Sequence, residues 1–198
     1  MDLILQQGFL TGFLEILGAP ALGEILPQPR ALLNLDPMVL KEPLPARFFD
    51  DLDAAMTSHY GATAEMGIAH TAGRLAFRSY KDGIPVLEEC GKVEQRLLPF
   101  SEKITNALQV FMDVLHDQDV SDMTVQYDRI HIAWVMEGSM LQGYGSFIRF
   151  GKQHFFMGVM ESLLEWMDSR HAFQIAQEPS TQSKKDALAF TISVVSFD

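Results

Sequence analysis

Cysteine is nearly missing from this sequence of 198 residues, in which Cys90 is the single example. One thiol excludes an intramolecular disulfide and suits a reducing compartment. It also excludes a zinc or iron–sulfur site built from thiolates, because such a site needs two or more converging ligands. The neighbours Glu88, Glu89 and Glu94 would raise the pKa of the thiol, so Cys90 is not predicted to be a nucleophile.

Basic side chains are also scarce: 15 lysines and arginines stand against 26 aspartates and glutamates, for a formal net charge of -11. Nucleic acids and anionic membrane surfaces both require a basic face. We therefore predict no nucleic-acid partner, and we attribute the acidic balance to solubility.

Sequence motifs of catalysis are missing as well. No Gly-x-Ser-x-Gly elbow is present, and Gly138, Gly143 and Gly145 lack the strand context of a phosphate-binding loop. Glu161 and Glu165 are spaced i, i+4, which a solvated helix edge explains. The N-terminus carries no basic region before its apolar run, so a secretory signal is not expected and a cytoplasmic location is predicted.

What the sequence has is a strongly apolar C-terminal third. Residues Phe147–Met167 read as a helix that is apolar on nearly every face, followed by strand-like runs at His171–Glu178 and Ala187–Phe197. Five ionisable residues interrupt the helix, and each charge at mid-bilayer would cost about 2.5–3.5 kcal/mol. They are Arg149, Lys152, His154, Glu161 and Glu165. We predict no membrane span and expect this helix to lie on a sheet at the centre of a soluble domain.

The N-terminal part begins with a helix over residues 3–17, which Gly18 and Pro20 are expected to end. Prolines then recur through residues 19–45, so long regular elements cannot form there. The predicted organisation is an N-terminal helix and proline-rich linker over residues 1–45 and a ligand-binding domain over residues 46–198. An apolar stripe on the first helix packs on its own chain or on a partner, and we favour a homodimer.

Residues 46–198 predict helices at 46–59, 63–80 and 101–116, the last with Ser101 as N-cap. The second carries a stripe of small residues that lets another backbone come close. That stripe is Ala62, Ala69, Gly73 and Ala76. Alternating apolar residues on either side of Asp128-Arg129 predict a β-hairpin, and the two C-terminal runs predict another. The fold class is therefore α+β: an antiparallel sheet of about four strands packed against several helices.

This order, with particular residues, resembles the 4-vinyl-reductase (hydrocarbon-binding) domain family over residues 46–198. The resemblance is carried by the segments His70-Thr-Ala-Gly-Arg-Leu-Ala-Phe77, Gly158-Val-Met-Glu-Ser-Leu-Leu-Glu-Trp166, Phe173–Glu178 and Ala189–Ile192. It implies the ligand-binding fold shared with vesicle-tethering subunits and haem-containing nitric oxide sensors, in which a small molecule enters an apolar interior. Cysteines common in the family's last hairpin are missing from Glu178–Phe190 here, so no metal site is predicted.

Apolar side chains with a few polar anchors are typical of a hydrophobic-ligand pocket. The predicted ligand-contacting residues are Met66, His70, Arg74, Phe77, Phe111, Trp134, His154, Met157, Met160 and Trp166. The alternative is that all of them pack the core. One imidazole is enough to ligate haem, yet nothing in the spacing selects His70 or His154, and a metal pair of His59 and His70 is disfavoured. The sequence names no cofactor.

The leading hypothesis is thus non-enzymatic binding of a small hydrophobic molecule, as a sensor, carrier or assembly factor. Two alternatives remain open at this point. One is a component of tetrapyrrole vinyl reduction, as the family resemblance implies; the other is a dimeric interaction module without a ligand.

Overall fold

The computed structural model describes residues 3–25, 46–116, 120–129, 133–140, 154–177 and 187–195. Seven helices and four strands lie within these ranges. In chain order they are α1 Leu3–Ile25, α2 Ala46–Tyr60, α3 Ala62–Gly83, α4 Pro85–Cys90, α5 Val93–Arg96, α6 Phe100–His116, β1 Val120–Asp128, β2 Ala133–Met140, α7 His154–Met167, β3 Ala172–Gln177 and β4 Ala187–Val195. The predicted α+β class is confirmed.

The four strands form one antiparallel sheet in the order β1-β2-β4-β3. Both predicted hairpins are confirmed: β1 pairs with β2 so that Asp128 faces Ala133, and β3 pairs with β4. The hairpins are joined where β2 pairs with β4, and there Trp134 faces Ile192. Both of these side chains are fully buried, as period-2 alternation requires of the inward face.

Several helix ends differ in detail from the sequence prediction. Gly18 adopts a left-handed φ of 74° and breaks α1, as expected of a terminal glycine, but helix resumes beyond it to Ile25. Gly61, with φ 81°, separates α2 from α3. Helix α6 begins one residue before the predicted cap: the Pro99 carbonyl accepts the Lys103 N–H, which puts Ser101 inside the first turn. Residues 26–45 of the proline-rich segment and 147–153 of the predicted apolar helix lie outside the described residues.

The chain forms two compact units. Unit 1 comprises Met1–Gly83 and Gly143–Val159, and unit 2 comprises Ile84–Gln142 and Met160–Asp198. Helix α7 contributes His154–Val159 to unit 1 and its remaining residues to unit 2.

Unit 1 is helical in its described part. Helix α1 packs against α3, and the apolar stripe of α1 is buried within its own chain, with Phe9 and Phe13 fully buried and Leu10 nearly so. Of the two arrangements left open for that stripe, packing on its own chain is the one observed. The homodimer stays a prediction. The buried part of this stripe does not provide a contact surface for it.

Gln6–Ile25 is the one described stretch long and apolar enough to cross a bilayer by length and composition, and 39% of its most apolar window is buried in the protein. Its buried aromatic residues favour a core helix over a span.

Unit 2 contains α4, α5, α6, the sheet and the end of α7. Helix α6 packs against β1, and the Trp134 indole N–H of β2 donates to the Thr105 hydroxyl of α6 over 2.9 Å. The core between them is apolar. Its fully buried members include Leu87, Ile104, Leu108, Leu163, Leu164, Phe190 and Ile192.

Candidate ligand site

Helices α3 and α7 meet in unit 1 through two glycines. A Cβ atom on Gly73 would overlap the carbonyl oxygen of Phe155, and one on Gly158 would overlap the carbonyl oxygen of His70. The two backbones are therefore in direct contact, which no residue with a side chain would permit. The predicted close approach at the small-residue stripe is confirmed for Gly73, whereas Ala62 at the start of the stripe is exposed.

The three predicted polar anchors lie around this crossing. The backbone of His70 and of Arg74 faces Gly158, and His154 precedes Gly158 by one helical turn, on the same side of α7. All three anchors are half-buried. Each has an interaction within the protein. The three residues thus lie along one helix crossing, with apolar residues of the same two helices near them in sequence.

Six of the ten predicted contact residues belong to unit 1: Met66, His70, Arg74, Phe77, His154 and Met157. Phe77 follows Gly73 by one turn and is buried, Met66 precedes Gly73 by two turns, and Met157 adjoins Gly158. Met66 and Met157 are half-buried. Their flexible thioether side chains adapt to irregular apolar surfaces.

An aromatic cluster in unit 1 was not predicted as part of the site. Phe9 lies 4.8 Å from Phe13 and 4.9 Å from Phe155 between ring centroids, and Phe155 lies 5.5 Å from Phe156. These are ordinary aromatic packing distances. The i, i+4 spacing of Phe9 and Phe13 signalled an apolar face, but sequence reasoning assigned that helix to a separate N-terminal segment.

The other four predicted residues, Phe111, Trp134, Met160 and Trp166, belong to unit 2. Phe111 and Met160 are buried in its core. Trp134 stacks on Tyr127 at 5.0 Å and meets Phe100 edge-on at 5.9 Å. With its indole N–H also bonded, Trp134 is a satisfied core residue. Trp166 is half-buried under the Arg96 guanidinium, whose carbon lies 5.0 Å from the ring centroid.

Unit 2 also carries a groove of about 430 Å³ between α6 and the end of β1. Its lining is polar, in contrast to the predicted apolar pocket. The lining residues are Ser101, Glu102, Thr105, Asn106, Tyr127 and Arg129. Four of these residues lie at the start of α6 and two at the end of β1. Sequence reasoning missed the groove because no local pattern shows that these two segments meet.

A buried ion pair holds the turn after α7 in unit 2. The Lys103 ammonium donates to Asp168 Oδ2 over 2.6 Å, and these side chains are only 5% and 1% exposed. Asp168 Oδ1 accepts the Arg170 backbone N–H at 3.0 Å and lies 3.2 Å from His171 Nδ1. Burial alone would raise the pKa of Asp168, but the hydrogen bonds from Lys103, Arg170 and His171 outweigh it and hold that pKa well below its usual range.

No group of three or more His, Cys, Asp or Glu side chains suited to a metal ion occurs among the described residues. His59 is exposed and packs edge-on against Tyr60 at 4.6 Å, whereas His70 is half-buried on α3. Burial, and then the charge of Glu89, raises the pKa of the Cys90 thiol. The direction is the one predicted from its acidic neighbours, with burial as the larger cause.

Comparison by sequence finds no relative of this chain. No protein-family model matches it, and no curated protein is similar to it. The family resemblance to 4-vinyl reductases therefore stays a prediction.

Solved structures of H-NOX domains are similar over nearly the whole chain. An H-NOX protein from S. oneidensis in an Fe(II) ligation state covers 100% of this chain and 98% of its own, at 10% identity and TM-score 0.61. An oxygen-binding H-NOX domain related to soluble guanylate cyclases covers 98% and 95%, at 11% identity and TM-score 0.58. A structure concerned with haem redox potential and porphyrin distortion covers 98% and 95%, at 11% identity and TM-score 0.60. The chain thus has the fold of H-NOX domains, in agreement with the fold that the resemblance implied.

That fold raises the question of haem, which needs an axial ligand and a cleft wide enough for a porphyrin. Among the histidine side chains that the structure describes, His171 is bonded to Asp168 and lies 4.3 Å from the Phe100 ring centroid. His70 and His154 lie at the α3–α7 crossing, where the two backbones touch. A porphyrin does not fit between α3 and α7 in unit 1, because the two backbones are in contact there.

Proposed function

We propose that this chain is a non-enzymatic domain that binds a small hydrophobic ligand, as a cytoplasmic sensor, carrier or assembly factor. The observation that carries the proposal is the fold likeness to H-NOX domains, one of them oxygen-binding, over 94% or more of the chain in each case. Fold does not fix function. The ligand class is therefore argued from the residues.

The ligand would lie in unit 1 beside the crossing of α3 and α7. Met66 and Met157 would offer adaptable apolar surface there, and Phe77 adds a buried aromatic ring on α3. His70, Arg74 and His154 supply donors at the same crossing. An apolar molecule that ends in an acceptor, such as a carboxylate, suits this combination, since Arg forms strong charge-assisted bonds with carboxylates.

The polar residues at the crossing support a ligand of this class, an apolar molecule that ends in an acceptor. Three donor-bearing residues, each half-buried, lie at the close contact of α3 and α7. The packing of the two backbones needs none of these side chains, because the glycine contact alone allows it.

Native mass spectrometry of the freshly purified full chain, followed by titration with decanoate and decanol, tests the proposal. We expect a retained apolar molecule, or saturable binding of decanoate in preference to decanol. Arg74→Gln should weaken decanoate binding by about tenfold, the loss of one charge-assisted hydrogen bond. Arg78→Gln is the matched control, because Arg78 lies one turn further along α3 and is exposed.

Thermal melts of both variants would show that each is folded. Absence of a retained ligand together with no binding of either probe would reject the function. Equal weakening by Arg74→Gln and Arg78→Gln would reject the site. Stoichiometric haem uptake with a sharp Soret band, unaffected by Arg74→Gln, would replace the apolar ligand with haem.

A further inference from the structure

Unit 2 exposes large apolar side chains in one short stretch. Among the described residues, Val86 is 45% exposed, Val93 67% and Leu97 78%, while the one other such residue, Val195, is 36% exposed on β4. Single exposed apolar residues need no explanation, whereas several on one surface point to an interface.

The α4–α5 face is defined here as Val93, Arg96, Leu97 and Trp166, beside the Gly91 junction of the two helices. Val93 and Leu97 are spaced i, i+4 along α5 and therefore project on the same side. Between them in sequence, Arg96 covers the half-buried Trp166 ring, whose edge also packs against Gly91. Tryptophan and arginine are the residues most enriched at the energetic centres of protein interfaces.

Three glutamates lie close to Lys92, in the segment that carries this face. The hydrogen bond to Glu89 raises the pKa of Lys92 against the effect of desolvation, and the charges of Glu89, Glu94 and Glu88 raise it further. All three glutamates are exposed. Lys92 forms an ion pair with Glu89, and Arg96 is held over Trp166. Three glutamates, Glu88, Glu89 and Glu94, stand against the two bases Lys92 and Arg96 in this segment, so its net charge is -1.

We propose that the α4–α5 face docks a basic amphipathic helix of a partner protein. Leucine or aromatic residues at i, i+3, i+4 and i+7 of that helix would cover Val93 and Leu97, and its lysines and arginines would meet Glu88 and Glu94. A second copy of this chain fits poorly, because each copy brings the same three glutamates and a net charge of -11. This inference goes beyond ligand binding and does not depend on it.

The test uses the full chain and a fluorescein-labelled, 18-residue amphipathic peptide of leucine and lysine, with a leucine–glutamate peptide as its sign control. Fluorescence anisotropy should show saturable binding of the basic peptide that weakens with salt. Leu97→Gln and Glu94→Lys should each weaken binding by about tenfold, as loss of a central anchor or reversal of a charge beside it does.

Two variants elsewhere are matched controls. Val195→Gln removes an exposed apolar residue from β4, and Glu24→Lys makes the same charge reversal at an exposed position of α1. Neither should change the affinity. Equal weakening by Glu24→Lys would show attraction to net charge alone, and binding of the acidic peptide, or of neither peptide, would also overturn the proposal. Leu97-dependent self-association in sedimentation velocity would assign the face to a second copy instead.

Discussion

Unit 1 and unit 2 differ in the kind of contact that joins the elements inside each of them. In unit 1 the helices meet backbone to backbone: Gly73 and Gly158 join α3 and α7, and Gly12 of α1 faces the Ala72 carbonyl of α3. In unit 2, side chains join α6 to the sheet and to the turn after α7, through the Trp134–Thr105 hydrogen bond and the Lys103–Asp168 pair. The glycine of unit 2 that packs tightly, Gly91, faces the ring of Trp166.

This difference predicts two kinds of sensitivity. A backbone contact cannot move aside, so unit 1 should be intolerant of added volume at Gly12, Gly73 and Gly158. A buried side-chain pair depends on both partners, so unit 2 should be intolerant of losing one charge. Substitutions in each unit test whether the two units differ in this way.

The largest effect is expected from Asp168→Ala. It leaves the Lys103 ammonium, 5% exposed, without its carboxylate, and breaking a buried pair in this way costs about 3–5 kcal/mol. Urea unfolding would measure the change in the free energy of unfolding. Glu89→Ala is the control: it removes a similar but exposed pair with Lys92 and should have no measurable effect. Equal effects from both variants would remove the distinction between the two pairs.

Gly73→Ala should come next, with a loss of about 3 kcal/mol, the upper part of the range for overpacking. The added methyl group would meet the Phe155 backbone, which belongs to a helix and cannot rotate away. Gly67→Ala on the same helix has open space around it, and it should stabilise the protein by up to about 1 kcal/mol through helix propensity. Thermal and urea unfolding of the two variants should therefore give opposite signs; a neutral Gly73→Ala would disprove the close crossing.

Acidification should lower the stability of unit 2, by less than either Asp168→Ala or Gly73→Ala lowers stability. The folded pKa of Asp168 lies well below its ordinary value of 3.8, so the carboxylate contributes stability above that value and loses it as pH falls towards the folded pKa. The stability difference between the wild type and Asp168→Asn should be constant above about pH 5 and shrink towards pH 2. A difference that grew on acidification would have the wrong sign for this ion pair.

The smallest effect is expected from Gly91→Ala. Its methyl group would lie 2.8 Å from two ring carbons of Trp166, and a half-buried side chain can shift by a few tenths of an ångström. A loss of about 0.5–1 kcal/mol is expected, the order of an off-rotamer side chain, with a change in tryptophan fluorescence. A loss as large as that of Gly73→Ala would show that the ring is as immovable as a backbone.

Much of the fold was predictable because its signals are local. Alternating residues on both sides of Asp128 marked the β1–β2 hairpin, and helical spacing marked α2, α3 and α6. The small residues of α3 predicted a close backbone neighbour, and Gly158 supplies it. Two elements were missed, the short helices α4 and α5, since six and four residues are too few to show a helical period.

The candidate site was predictable only as a class of residues. His70 and Arg74 share a helix face by spacing, but their meeting with the Gly158 region of α7 joins segments more than 80 positions apart in the printed sequence. The aromatic residues of α1 were assigned to a separate segment, because nothing in their spacing identifies the helix that covers them. The groove beside Tyr127 combines α6 with the end of β1 in the same non-local way.

Periodicity, turn residues and composition act over a few neighbouring positions, so the sequence alone was enough to predict the longer helices, the antiparallel hairpins, the acidic composition and the lack of a disulfide. Tertiary structure decided which hairpin edges join, which glycines meet a backbone, and which charges are paired. Lys103 and Asp168 stand 65 residues apart. Their pairing depends on packing that brings both side chains out of water together, a property of the assembled unit that neither local segment carries.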